Sequence, residues 1–305
     1  MIESLLKGIL TSSIVSGTSL LYATLGEVLT QRAGIVNLGL EGALLIGASV
    51  GFAATLETGN PLLGILAAAL AAALFNLAFG YLVITRRANQ PASGLTMMFL
   101  GTGLSALIGK GYVGRPIVGL GKLPIPGLAQ LPWVGPVFFN HDLLVYLVVP
   151  AAVLIWWLLF RTRWGLGVRA VGESPTTAFA AGRQPGWLQY QALFIAGLLA
   201  GVGGAHLSVA YTLNWSEGMT AGRGFIAIAL VIFSKWHPLW AIAGALLFGG
   251  LVAFQLQLQA SGMDVSPFLL NMVPYVLTIL VLMIWGGRRR HAAPAGLGQV
   301  YRGTE

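Results

Sequence analysis

The chain is 305 residues long, and 56% of these residues are hydrophobic while only 9% are charged. A soluble domain carries about 25% charged residues, so this composition and the mean hydropathy of +0.81 exclude an ordinary soluble domain. The net charge is +8, but the basic residues stand at the ends of apolar stretches, which argues against a nucleic-acid-binding protein. Because the chain has no cysteine, disulfide and thiolate chemistry are excluded as well.

Apolar stretches long enough to cross a bilayer recur along the sequence, since about 20 apolar residues span the hydrocarbon core. They predict an all-α polytopic membrane protein with about nine transmembrane helices. We place the spans at 5–25, 35–56, 61–84, 92–110, 142–160, 189–211, 222–235, 238–257 and 267–286. Residues 1–290 are thus expected to form one transmembrane domain, interrupted by a polar cytoplasmic loop at 161–189.

Basic residues predict which side of the membrane each loop faces. If the spans alternate, the richer side carries Arg86, Arg87, Arg161, Arg163, Arg169, Arg183, Lys235 and residues 288–290, and the other side only Lys110, Arg115, Lys122 and Arg223. Short loops rich in Lys and Arg stay in the cytoplasm, so the C-terminus is expected inside and the N-terminus outside. The Gly- and Ala-rich tail, 291–305, is expected to be a disordered cytoplasmic segment.

Residue types that commonly build catalytic or metal sites are scattered along the chain. The four histidines lack the spacing of metal ligands, and neither HExxH nor GxSxG occurs. The sequence therefore predicts a protein with no enzymatic activity of its own, no resident metal and no cofactor.

Segment 26–42, GEVLTQRAGIVNLGLEG, places ionisable and amide side chains within apolar sequence. Glu41 precedes a long uncharged run, so we expect it in or near the bilayer, where a carboxylate is costly and is a functional candidate. It could line a substrate path, or it could accept hydrogen bonds from backbone N–H groups freed where the helix breaks near Gly39 or Gly42. Asn37 is open to a similar pair of interpretations, as a path residue or as a hydrogen-bonding contact between helices.

Segment 222–238, GRGFIAIALVIFSKWHP, opens a short span with Arg223 near a helix N-terminus. The positive end of the helix dipole does not favour an arginine at this position. Arg223 could bind a polar ligand group, or it could be structural, reaching the membrane surface or pairing with a loop.

The polar segment 161–189 contains the signals of a short capped helix. Ser174 is a favourable N-cap, Pro175 suits the first helical position, and Gly182 suits a left-handed C-cap. The expected helix, 176–181, would expose small residues around one aromatic ring, namely Ala178, Ala180 and Ala181 around Phe179. A solvated loop needs no such helix, so the pattern favours a docking element for a partner protein.

Three segments, 26–42, 169–182 (RAVGESPTTAFAAG) and 222–238, together with MVPYVLTILVL at 272–282, resemble permease subunits of bacterial ABC importers for simple sugars and nucleosides. These subunits fall within the wider ribose and branched-chain amino-acid permease group, and the resemblance covers almost the whole chain. It implies a type II importer-like permease fold in the bacterial cytoplasmic (inner) membrane. The implied partners are a second permease, ATP-binding subunits and an extracytoplasmic substrate-binding protein.

In that family the counterpart of 169–182 is the cytoplasmic loop that couples to the ATPase. The resemblance therefore implies ATPase contacts for Gly172, Glu173, Ser174, Pro175, Ala181 and Gly182. Substrate-path roles for Asn37, Glu41 and Arg223 rest mainly on the expected positions of these residues. The form AGxxNLGLEG favours a nucleoside over a plain sugar as the solute.

Two other functions remain open at this point. The first is an ion-coupled secondary transporter of a small polar solute that uses Glu41 as a proton or sodium site. The capped helix and the lack of clear inverted repeats or paired broken helices count against it. The second is a membrane-embedded enzyme, and the lack of a catalytic cluster counts against that.

Overall fold

The structure is a computed structural model that describes residues 2–260, 272, 273, 276, 277, 279, 280, 283 and 293–299. The described chain is built mostly of helices. They are α1 (Ile2–Arg32), α2 (Leu40–Thr58), α3 (Pro61–Gly80), α4 (Gln90–Gly109), α5 (Val134–Phe138), α6 (Leu143–Arg161), α7 (Arg163–Glu173), α8 (Pro175–Ala180), α9 (Pro185–Ala205), α10 (Arg223–Phe233) and α11 (Pro238–Ala260). Two short strands, β1 (Lys122–Pro124) and β2 (Asn140–Asp142), pair antiparallel across the loop before α6.

Seven of the described helices are long and apolar enough to cross a membrane; they are α1, α2, α3, α4, α6, α9 and α11. The predicted all-α polytopic class is therefore confirmed. Helix α10 coincides with the short span expected at 222–235, but it has only 11 residues. Its length of about 16 Å reaches roughly half way across a hydrocarbon core. The span expected at 267–286 lies largely outside the described residues.

The first two spans differ from the sequence prediction at the polar segment that joins them. Helix α1 does not end near residue 25 but continues to Arg32, and residues 33–39 form an irregular loop before α2 begins at Leu40. The helix can continue because its last polar side chains satisfy one another. The Glu27 carboxylate accepts hydrogen bonds from Thr30 at 3.0 Å and from Gln31 at 2.8 Å.

Close backbone contacts between small residues hold the centre of the helix bundle together. A Cβ atom added to Gly47 in α2 would lie 2.7 Å from the Cα of Gly201 in α9. A Cβ on Gly201 would in turn lie 2.6 Å from the Cα of Ala69 in α3. Small residues allow membrane helices to approach this closely, so the glycine clusters of the sequence have a packing role in these three helices.

The two ends of α1 mark opposite ends of the bundle. Near its start, the Lys7 amine lies 5.9 Å from the ring centre of Trp133, in the long loop between α4 and α6. At the same end, Asp142 caps α6 and lies 3.6 Å from the buried His206. Burial opposes ionisation of Asp142, but the neighbouring His206 and the backbone amides that Asp142 caps hold the pKa of its carboxyl below the ordinary value. The other end of α1 lies beside α7.

We expect Gly47→Val to destabilise the bundle, because the added side chain would meet the backbone of α9. Overpacking of this kind costs about 1–3 kcal/mol or more. The measurements are the amount of protein in membranes and its thermal stability in detergent. Gly103→Val is the matched control, because no atom lies within 4 Å of its added Cβ. Equal stability of the two variants would contradict the packing role of Gly47.

Candidate functional site

The short helix α10 begins at a carboxylate that belongs to α2. One oxygen of Glu41, Oε1, accepts hydrogen bonds from the Thr220 hydroxyl at 2.6 Å and the Gly222 N–H at 2.8 Å. The other, Oε2, accepts one from the Gly224 N–H at 2.6 Å. These amides belong to the first turn of α10 and would otherwise lack partners. Glu41 thus satisfies them and places a negative charge at the positive end of the helix dipole.

The approach of Glu41 to α10 requires a glycine. A Cβ atom on Gly224 would lie 2.6 Å from the Cα and backbone nitrogen of Glu41, a distance that real Cβ atoms do not adopt. Glu41 is 6% exposed, so its charge is shielded from bulk water and its hydrogen bonds are charge-assisted. The sequence left Glu41 open between path and scaffold, and these contacts are those expected of a scaffold at a broken helix.

The other end of α10 is held by α1. Lys235 and Trp236 follow the helix with positive φ angles of 53° and 54°, so the helical conformation ends there. The Arg32 guanidinium donates hydrogen bonds to the Trp236 carbonyl at 3.0 Å and to the Lys235 carbonyl at 3.4 Å. The Trp236 indole N–H donates to Gln31 at 2.7 Å. A cation therefore lies at the negative end of the same dipole.

A buried polar network supports the irregular loop 33–39. The Glu27 carboxylate accepts a hydrogen bond from the Asn37 N–H at 3.2 Å. The Asn37 amide group donates to Asn76 of α3 at 3.2 Å, and Asn76 donates to the Leu193 carbonyl of α9 at 3.3 Å. Irregular backbone at membrane depth is tolerated only where protein groups satisfy it. Asn37 therefore joins loop and helices in this structure.

Glu27 has a role that the sequence interpretation did not assign. It is 1% exposed and binds both its own helix and the loop that follows. A signal was present, because Thr30 and Gln31 stand three and four residues after it and so lie on the same face of a helix. The prediction that this helix ends near residue 25 concealed that pairing.

Arg223 lies at the start of α10 but points towards α1. Its guanidinium donates to the Ser19 hydroxyl at 3.1 Å and lies 5.9 Å from the ring centre of Tyr211. The structure therefore brings Glu41 and Arg223 to one helix start, while Asn37 belongs to the network around Glu27. The described residues contain no group of three or more His, Asp or Glu side chains that could hold a metal ion.

The expected helix in the polar segment is present as α8. The Ser174 hydroxyl accepts a hydrogen bond from the Thr177 N–H at 3.3 Å, and Pro175 is the first helical residue. Gly182 has a φ angle of 79°, the left-handed conformation of a C-cap. Ser174 separates α8 from α7, and we call the bend formed by residues 172–175 the elbow.

Exposure divides the residues of the elbow and α8 into two groups. Gly172, Pro175 and Ala178 are buried within this chain, whereas Thr176, Thr177, Glu173 and residues 179–184 are exposed. The expectation that Ala178 belongs to the exposed face is therefore wrong. It packs inward among apolar residues that include Val168 and Val171 of α7, because the bend at Ser174 folds this face of α8 against the rest of the chain. Ala181 and Gly182 remain exposed beside Phe179.

A segment of the C-terminal tail contacts the elbow. Residues 293–299 form a turn in which the Gly296 N–H donates to the Gly172 carbonyl at 2.8 Å and the Gly298 N–H donates to the Gly34 carbonyl at 3.0 Å. The tail 291–305 is predicted to be disordered, and within that range residues 293–299 lie against α7 and the loop 33–39. A Cβ on Gly172 would clash with the Arg32 carbonyl, so a glycine is required where these segments meet.

We expect Glu41→Gln to lower the free energy of unfolding by about 1–3 kcal/mol, because a neutral amide accepts weaker hydrogen bonds and places a donor near the α10 amides. Stability of the purified chain in detergent is the measurement. Glu57→Gln is the control, since Glu57 is exposed and receives a single long hydrogen bond from Tyr112 at 3.3 Å. Unchanged stability in Glu41→Gln would show that the carboxylate does not hold α10.

Several known proteins are similar in sequence to this chain along nearly their whole length. Putative glucose ABC transporter permease protein TsgC13 of Haloferax volcanii is 38% identical, over 98% of each chain. Guanosine ABC transporter permease protein NupQ of Bacillus subtilis is 34% identical over 94% of each chain. Nucleoside ABC transporter permease protein NupC of Lactococcus lactis is 33% identical over 93% of each chain.

The family match covers the same region of the chain. Residues 9–282 match the family described as branched-chain amino acid transport system / permease component. This range includes the broken segments at both ends of α10, the elbow and α8. The chain belongs to this family and is the permease component of an ABC importer.

Proposed function

We propose that this permease forms half of the translocation path for a nucleoside or a simple sugar. The relatives reported above are named for glucose, guanosine and nucleosides, and the segment AGxxNLGLEG supports a nucleoside as the first choice. The observation that carries the proposal is the exposed helix α8, which has well-defined caps and no transmembrane role. A helix of two turns is unstable by itself, so its exposed face is suited to a partner.

Energy for transport would come from ATP-binding subunits that contact this helix. In this proposal the exposed Glu173, Ala181 and Gly182, together with the half-buried Ser174, contribute the contact surface. The buried Gly172 and Pro175 hold the elbow against the rest of the permease, so that a displacement of α8 is transmitted. ATP hydrolysis is then a property of the partner and not of this chain.

The substrate path would run beside the broken segments at the centre of the bundle. Transporters commonly place their paths where helices are interrupted near the middle of the membrane. Glu41 and Arg223 meet at such an interruption, and Asn37 lies in the adjacent loop. Because Asn37 and Glu41 are 1% and 6% exposed in the single chain, we assign them the task of shaping the wall of the path. Glu41 is thereby assigned to the ATP-driven path and not to an ion-coupled site.

A second permease would complete the path, with an extracytoplasmic binding protein delivering the solute. A related guanosine permease protein of Bacillus subtilis, NupP, is 22% identical to this chain over 90% of it. Two similar permeases in one organism, NupQ and NupP, support a paralogue as the second half of the pair.

The proposed location is the bacterial cytoplasmic membrane, with the elbow and the C-terminus inside and the N-terminus outside. The arginine distribution and the contact of residues 293–299 with the elbow support this orientation.

Single cysteines at Ala180 and at Leu128 should react from opposite sides, with position 128 labelled in intact cells. The natural chain has no cysteine, so no background needs to be removed. Labelling of both positions from one side would contradict the orientation.

Ala181→Glu should break the contact with the ATP-binding subunit, because it would bury an unpaired charge in the interface. We expect co-purification to fall by at least about tenfold, and substrate-stimulated ATP hydrolysis to fall with it. Gln130→Glu is the control, because it introduces the same side chain at an exposed position in the loop between α4 and α6. Normal assembly of Ala181→Glu, at normal membrane levels, would show that α8 is not the docking element.

A further inference from the structure

A cluster of cations surrounds the ring of Phe160 at the end of the bundle where α1, α6 and α10 terminate. The guanidinium carbons of Arg169 and Arg32 lie 5.1 Å and 5.7 Å from the ring centre. The imidazole of His237 stacks on the same ring, with the centres 5.2 Å apart and the planes inclined by 30°. Two permanently charged guanidinium groups thus lie near the same aromatic ring.

We count Lys235 with Arg32 and Arg169 as the cations of this cluster. These three residues differ from the other basic residues near this end of the chain. Arg32, Arg169 and Lys235 are only partly exposed, whereas Arg86, Arg87, Arg161, Arg163 and Arg183 are exposed. Within the described part of the chain, no acidic side chain lies within ion-pair distance of any of the three. The Glu173 carboxylate acts on Arg32 electrostatically, but it forms no salt bridge with it. Partial burial of cations without a close anion is unfavourable, so the cluster favours a further negative partner.

The hydrogen bonds of the cluster leave donors available. Arg32 uses two N–H groups on the carbonyls after α10, and Arg169 donates one to the Leu159 carbonyl at 3.0 Å. A guanidinium has five N–H donors. Among the described residues, the Lys235 amine has no hydrogen-bond partner.

A cavity of about 620 Å³ lies against this cluster. Arg32, Lys235 and His237 form its polar part, while Phe160, Phe233 and Trp240 form an apolar part. Trp240 is 66% exposed in the first turn of α11, so an apolar surface continues from the cavity along the outside of the bundle. The cavity can therefore accept a molecule with an anionic head and an apolar body.

We propose that this cavity binds an anionic phospholipid of the cytoplasmic leaflet. The phosphate group would lie beside Lys235 and Arg32, which line the cavity, and the phosphate would supply the negative charge. The acyl chains would follow Phe233 and Trp240 into the hydrocarbon core of the bilayer. Basic pockets between transmembrane helices on the cytoplasmic side are suited to such headgroups. An inorganic phosphate would satisfy the cations but would leave the apolar part of the cavity unfilled.

The test uses the full-length chain, purified in a neutral detergent and titrated with phosphatidylglycerol or with phosphatidylcholine of the same acyl chains. Native mass spectrometry would give the dissociation constant of each lipid. We expect phosphatidylglycerol to bind at least about tenfold more tightly than phosphatidylcholine, because basic residues near the headgroup attract an anionic lipid. Inorganic phosphate should not displace the bound lipid at a concentration of about 10 mM.

Variants locate the site. Lys235→Gln should weaken phosphatidylglycerol binding by about fivefold or more, and Lys235→Arg should restore it. Arg163→Gln is the matched control, with the same change of charge at an exposed position, and should bind as the natural chain does. Arg32 is left intact because it also holds the end of α10.

Several results would overturn the proposal. Equal binding of the two lipids would show that no anionic headgroup is recognised, and equal losses in Lys235→Gln and Arg163→Gln would indicate diffuse surface attraction. Displacement of the lipid by inorganic phosphate would show that the cluster takes a free anion. A Lys235→Gln variant that misfolds, as judged by its elution from a sizing column, is replaced by Lys235→Met with the same expected loss. Loss of the lipid on assembly with the ATP-binding subunit would show that the partner occupies the cavity.

Discussion

The structure depends on holding a helix of half-membrane length in place by charges at both of its ends. Glu41 binds the free amides at the start of α10, and Arg32 binds the carbonyls that follow it. Water cannot satisfy these groups within a bilayer, so the chain has to supply their partners. The two charged residues flank the loop that joins α1 to α2, which makes the irregular loop 33–39 and the short helix a single structural unit.

The elbow is connected to this unit through Arg32. The backbone of Arg32 lies against Gly172, where no larger residue fits, and its side chain holds the end of α10. A displacement of α8 by an ATP-binding partner would therefore reach the broken helix through one residue of α1. The turn formed by residues 293–299 reinforces the connection, because its amides bind both Gly172 and Gly34. Rigid glycine contacts among α2, α3 and α9 provide the frame against which this part of the permease would move.

The sequence predicted the elements whose signals are local. Apolar stretches located most of the spans, and the caps Ser174 and Gly182 located α8, because these patterns depend on nearby residues alone. The end of α1 and the role of Glu27 were missed, since they depend on polar side chains meeting within a helix and across a loop. Tertiary packing decides that Ala178 is buried and that residues 293–299 contact the elbow. Neither helix propensity nor hydrophobic periodicity encodes this packing. The expected position of Glu41 in or near the bilayer indicated a functional or structural role for its carboxylate. Only the distances to the amides of Gly222 and Gly224 identify what the carboxylate binds.

Amide hydrogen exchange across residues 222–237 in the full-length chain would test most directly whether α10 is held at both ends. We expect slow exchange of the amides of Gly222 and Gly224, since both donate to a buried carboxylate. Glu41→Gln should accelerate their exchange by about tenfold or more, which corresponds to the loss of about 1.4 kcal/mol of local stability. Exchange at the rate of an unstructured peptide in the natural chain, or no change in the variant, would show that Glu41 does not hold the start of α10.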